Sequence, residues 1–241
     1  MSGETRPLLA LSSGSLPINR QHDDSQLYGE RRSGAHSVPR RSHALHTNVV
    51  FAVAAIFLNG AFVLLNFAED RDAAVNVSFL VGAIFLTHAF LMLTHWSVAI
   101  APRPMPSLVL LDVLSTAFKV PSALLLTLQP ATALWSGGAG IAWSNLAGIA
   151  ALSLLNTVNA VTMPILLWQR GKWLANLPSL AAWVFAVATY LLTVANAVVY
   201  FQPTLLDPGV MQALQFSGAM GYEIGAWMFW FWAFRGEPLS M

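Results

Sequence analysis

The chain contains no cysteine, and charge is scarce: only 10% of its 241 residues are Asp, Glu, Lys or Arg. Without thiols, a disulfide framework, a thiolate metal site and a cysteine nucleophile are all excluded. The net charge of +1 cannot supply the basic surface that phosphate backbones require, so no nucleic acid is expected as a partner. Glycine-rich phosphate loops and a serine nucleophile elbow are missing too. What is plentiful is hydrocarbon: 56% of the residues are hydrophobic and the mean hydropathy is +0.60. Soluble domains average about 45–50% apolar and about 25% charged residues. A soluble enzyme and a wholly disordered chain are therefore excluded, and the lipid bilayer is the expected surrounding.

The few charges are unevenly spread. Residues 1–46 hold 10 of the 23, which leaves 13 for the other 195 residues. This segment is rich in Ser, Arg, Gly and Pro, shows no hydrophobic period, and is expected to be a disordered tail. Residues 47–241 form the expected membrane domain. It holds six apolar segments, about 48–67, 74–100, 107–128, 140–168, 177–201 and 211–234. Each reaches the roughly 20 residues that a helix needs to cross a bilayer core about 30 Å thick. The breaks between them have clear causes: the charged turn Glu69-Asp70-Arg71-Asp72, the prolines at 102, 104 and 106, the glycine-rich Gly137–Gly140, Arg170-Gly171-Lys172, and Gln202-Pro203 to Gly209. The expected fold class is an all-α, polytopic integral membrane bundle of six transmembrane helices.

Basic residues fix the expected orientation. Six arginines in the tail, Arg103, Arg170, Lys172 and Arg235 fall on one side of the alternation, and Arg71 alone falls on the other. Positive charge collects on the cytosolic side, so both termini are expected to be cytosolic. Trp96, Trp168, Trp173, Trp230 and Trp232 lie near the expected cytosolic boundary and are read as interfacial anchors. Ser217, Gly221 and Gly225 recur at spacing four in the sixth segment, a small-residue face expected to pack against another helix of the same chain.

Two features of the tail concern traffic. Glu4-Thr5-Arg6-Pro7-Leu8-Leu9 resembles the acidic dileucine signal, in which Glu4, Leu8 and Leu9 would carry recognition by an adaptor complex. That resemblance implies delivery to a lysosomal or vacuolar membrane. The paired arginines at 31–32 and 40–41, each followed by Ser, are expected to mark topology beside the anionic leaflet.

The chemical signal lies in the ionisable residues inside the expected spans. A charge at the bilayer centre costs at least about 2.5–3.5 kcal/mol, so each one needs a partner or a purpose. The candidates are His88 and His95 in the second segment, Asp112 and Lys119 in the third, and Glu223 in the sixth. His88/His95 and Asp112/Lys119 are each seven apart, which places each pair on one helical stripe about 10.5 Å long. Counting from the turns places Lys119, His88 and Glu223 near the midplane, with Asn156, Asn159 and Tyr190 at a similar depth. Glu223 is expected to neutralise Lys119, and Asp112 to pair with His95.

Haem is not expected, because both histidines of the spans lie on one helix and cannot sandwich the group. A zinc site is not expected either, since His88, His95 and Asp112 are spread too far apart for one ion. No cofactor and no metal is expected. The leading expectation is a proton-coupled transporter or permease for a small polar or ionic solute in an endolysosomal or vacuolar membrane. Two alternatives stand beside it. One is a non-catalytic accessory or scaffold protein, and the other is a small intramembrane enzyme acting on a lipophilic substrate with Asp112 and Glu223 as acid or base.

Overall fold

The structure is a computed structural model that describes residues 40–67, 72–101, 104–137, 140–168 and 177–235. The described residues form six helices: α1 (Arg40–Phe67), α2 (Asp72–Ile100), α3 (Ser107–Ser136), α4 (Ala142–Trp168), α5 (Leu177–Phe201) and α6 (Pro208–Arg235). The acidic dileucine pattern and the arginines at 31–32 lie outside the described residues. Residues 40–46, expected within the tail, belong to the first helix. The third helix outruns its expected end at 128 and continues to Ser136, through Pro121 and Pro130. Neighbouring hydroxyls there bond the carbonyls of the preceding turn, as Ser122 does with Phe118 O (2.9 Å) and Thr132 with Leu128 O (2.6 Å).

Local chemistry ends α3 and starts α6 at breaks that the sequence marks. Gly137 caps α3 in the left-handed region (φ 66°) and donates to Ala133 O at 2.9 Å. Gly140 (φ 68°) completes the turn, and any Cβ there would meet Gln129 O at 2.3 Å. Asp207 caps α6, accepting from Gly209 N at 2.8 Å, and Pro208 occupies the first helical position, where a missing N–H costs nothing.

Five of the helices are long and apolar enough to cross a membrane. The sixth, α6, interrupts its apolar run with Gln212, Gln215, Ser217 and Glu223. It is as long as the others, at 28 residues, and it packs between α5 and α1. The chain is thus a multi-pass helical membrane bundle.

The packing is a closed ring. Each helix touches its neighbours in sequence, α6 closes back on α1, and among the described residues no helix packs on one across the ring. Leucine, isoleucine, valine, phenylalanine and tryptophan side chains cover the outer surface, including Ile84, Leu91, Phe118, Leu154, Trp183, Val187 and Ile224. On a soluble protein such a surface would drive aggregation; here it faces acyl chains. Close helix approach is achieved with small residues. Ala54, Ala61, Ala89, Ala123, Ala160, Ala181, Ala195 and Ala226 are fully buried. A Cβ on Gly218 would come within 2.6 Å of Leu192, and one on Gly225 within 3.2 Å of the Phe185 ring.

The small-residue face of α6 is therefore Gly218, Gly221 and Gly225, set against α5. Ser217, expected on that face, is exposed instead. A step of one residue turns the helix by 100°, so Gly218 takes the contact. The α4–α5 seam is polar. Asn145 donates to Asn196 at 3.0 Å, Ser153 and Thr193 hydroxyls meet at 2.7 Å, and Asn156 reaches Thr189 at 3.4 Å.

Candidate axial chambers

All six helices contribute to one core inside the ring. Its centre is aromatic. Phe51 lies 5.1 Å from Phe90 and 5.6 Å from Phe185, and Phe185 meets Tyr222 edge-on at 4.7 Å. With Leu86, Leu152 and Ala54, these rings form a layer across the axis.

A chamber lies on either side of that layer. The proximal chamber, at the end where α1 begins, has a volume of about 100 Å³. It is walled by Phe51, Phe90, Phe185 and Phe229 and carries Trp96, Asp112, Thr116, Lys119, Asn156 and Asn159. The distal vestibule is larger, about 870 Å³, and reaches residues at the distal helix ends such as Leu65, Asp72, Gly137 and Val199. Amides and a carboxylate punctuate its wall: Asn59, Asp72, Asn76, Gln129, Asn145, Asn196 and Gln215. Tyr222 belongs to the wall of both.

The proximal chamber is organised by one carboxylate. Asp112 Oδ1 accepts from Asn159 Nδ2 at 2.7 Å and from Thr162 Oγ1 at 2.9 Å. Asn159 Nδ2 also donates to Ser115 Oγ at 2.7 Å, and Ser115 and Thr116 hydroxyls both bond Asp112 O. Helix α3 supplies this stripe because Asp112, Ser115, Thr116 and Lys119 fall at spacings of three, four and seven. Lys119 is 6% exposed, and its Nζ lies 5.7 Å from the centre of the Phe90 ring, at the outer limit of a cation–π contact. Asp112 is the charge that acts on it electrostatically.

Three polar atoms in this wall are buried without a hydrogen-bond partner among the described residues: Trp96 Nε1, Asn159 Oδ1 and Tyr222 Oη. Buried polar groups are almost always satisfied, and each orphan costs about 1–3 kcal/mol. Their convergence on one chamber marks it as the place where a polar group belongs.

The sequence candidates divide accordingly. Asp112, Lys119, Asn156 and Asn159 are brought together in the proximal chamber. His88, His95 and Tyr190 are exposed, and none of them lines either chamber. Seven-residue spacing correctly placed the two histidines on one stripe, but that stripe is turned away from the axis. Tyr190 meets Thr157 across the α4–α5 seam, with 3.3 Å between oxygens. Glu223 does not meet Lys119. Its carboxylate accepts from Asn59 Nδ2 on α1 and from Trp227 Nε1 at 3.3 Å. It therefore joins the α1–α6 seam, while its neighbour Tyr222, 100° around the helix, faces the axis. Asp112 is held by Asn159 and Thr162 on α4.

Counting depth did not identify Thr47, Trp96 or Tyr222 as chamber residues, nor Asn59 as the partner of Glu223. Trp96 was expected at the interface as an anchor. Among the described residues no group of three or more His, Asp or Glu side chains could hold a metal ion. Comparison with protein-family models, with curated proteins and with solved structures returns no match.

Proposed function

We propose that the ring is a permease that passes a small polar solute along its axis, with the vestibule and the proximal chamber as successive stations. The observation that carries this reading is the pair of chambers stacked end to end with Tyr222 in both walls. A vestibule with amide walls holds a hydrated solute, and an aromatic layer then separates the two compartments. The solute would be desolvated past Phe51, Phe90 and Phe185 and received by the polar atoms of the proximal chamber. Alternating access needs only a rearrangement of that layer.

Any proton coupling would run through Asp112 and Lys119, the ionisable pair facing the chamber. His88 points outward, and Glu223 is engaged at a seam. By the charge asymmetry of the loops, the proximal end faces the cytosol. The acidic dileucine pattern, Glu4, Leu8 and Leu9, supports an endolysosomal or vacuolar address through an adaptor complex.

A second reading, an intramembrane enzyme, is favoured by a different observation. Asp112 is oriented by two donors against a largely apolar chamber, the setting in which a carboxylate serves as acid or base. The absence of cysteine makes a direct test simple. Thr116→Cys, in the proximal wall, should react with a membrane-impermeant maleimide applied from either side of reconstituted vesicles. Reaction from one side only would remove carriage and leave the enzyme reading.

A further inference from the structure

We infer that the floor of the proximal chamber is a binding site for an organic monocarboxylate, held by the Lys119 ammonium and the Tyr222 hydroxyl. The inference deepens the permease reading by naming its solute class, and it rests on that reading for the role of the site.

The argument is one of unmatched donors. Asp112 and Lys119 are the two charged groups of the chamber wall, but their environments differ. The carboxylate already accepts two side-chain hydrogen bonds, from Asn159 and Thr162. For the ammonium, the described residues provide the face of Phe90 and the attraction of the Asp112 charge, which acts from beyond ion-pair distance. Lys119 is 6% exposed and Tyr222 5%, and the Tyr222 Oη has no hydrogen-bond partner.

Both donors line this one chamber, at one level. Lys119 is twelve residues in from the start of α3 and Tyr222 thirteen back from the end of α6, a depth of roughly 18–20 Å for both at 1.5 Å per residue. In ring order α3 and α6 stand opposite one another. Two donors thus face the chamber from opposite walls at one level. A carboxylate offers an oxygen to each, and its negative charge meets the ammonium where low dielectric makes that pairing strong. Trp96 Nε1, a third donor without a partner, lies nearer the proximal rim.

The rest of the wall selects the body of the ligand. Phe51, Phe90, Phe185 and Phe229 surround the space and favour an apolar, preferably aromatic, group packed edge to face. A volume of about 100 Å³ suits a compact molecule rather than a long acyl chain.

Equilibrium dialysis of labelled benzoate against the full chain in nanodiscs tests the site, with benzamide as its neutral isostere. Saturable benzoate binding is expected, at least tenfold tighter than that of benzamide. Lys119→Met should weaken benzoate tenfold or more and leave benzamide unchanged. Lys119→Arg should retain most of the affinity, and Tyr222→Phe should lose three- to tenfold. No saturable binding, or equal binding of benzoate and benzamide to the unaltered chain, overturns the site whether or not the variants fold. Lysine-dependent benzoate binding with one-sided labelling of Thr116→Cys keeps the site and removes carriage. Two-sided labelling with binding indifferent to Lys119 does the reverse.

Discussion

Substituting Asn159 by Ala tests the polar architecture of the proximal chamber most directly. The change removes two hydrogen bonds of 2.7 Å, one to the Asp112 carboxylate and one to the Ser115 hydroxyl. Hydrogen bonds between membrane helices average about 0.6 kcal/mol and reach about 1.7 kcal/mol, while bonds to a charged group are worth about 1.5–3 kcal/mol. The Ser115 bond contributes at the low end of the first range and the Asp112 bond at the low end of the second. The sum is a loss of about 2 kcal/mol. The orphaned Asn159 Oδ1 disappears with the side chain, and so offsets part of that loss.

A double-mutant cycle isolates the Asp112 bond. Asp112→Ala, Asn159→Ala and the double variant, unfolded reversibly in mixed micelles, should show a coupling of about 1–2 kcal/mol. The double variant should be less destabilised than the two single losses added together. Agreement with additivity within about 0.5 kcal/mol would refute the claim that these side chains act as a unit. The same outcome would remove the oriented carboxylate on which the enzyme reading depends.

Three further predictions concern which way the helices face. Gly218→Leu should destabilise by about 1–3 kcal/mol, because even its Cβ would overlap Leu192 and the Ala188 carbonyl region, whereas Ser217→Leu should be nearly neutral; thermal unfolding in detergent compares them. His88→Leu should leave stability within about 0.5 kcal/mol, and Lys119→Ala with Glu223→Ala should add, since Glu223 binds Asn59 and Trp227 rather than Lys119; a coupling above 1 kcal/mol in that cycle would contradict the assignment.

Which features were legible follows from what bilayer and interior have in common. Prolines, glycines and charged clusters break the chain wherever a helix must end, so the six segments can be read directly, with errors confined to ends such as residue 40 and residue 136. Depth is legible as well, because rise per residue is constant. It placed Lys119, Asn156 and Asn159 at related levels, and they share a chamber. Azimuth is legible only where a polar stripe marks it, as Asp112, Ser115, Thr116 and Lys119 do on α3. Elsewhere lipid and the ring interior are both apolar, so a helix is hydrophobic all round and nothing reveals which side faces the axis. His88 is exposed and Glu223 lies in the α1–α6 seam, so neither sits on the face that lines the proximal chamber. Gly218 competed with Ser217, since both complete a small-residue stripe with Gly221 and Gly225, and the charge of Glu223 outweighed the hydroxyl of Tyr222. The ring closure between α1 and α6 could not be anticipated either, since nothing in one sequence pairs its first and last helices.

That closure has a consequence for synthesis. Five seams of the ring join helices that leave the ribosome in succession, but the sixth joins the first helix to the last. Until α6 is inserted, the ring is an open crescent, and its inner wall, with Lys119, Asp112 and the amides of the vestibule, faces acyl chains. The last helix, its apolar run broken by Gln212, Gln215, Ser217 and Glu223, is then drawn into a gap already lined with polar groups, among them Asn59 awaiting the Glu223 carboxylate. A chain stopped after residue 201 would expose this interior to lipid and to the cell's surveillance of unassembled membrane helices. Closure of the ring thus waits for α6.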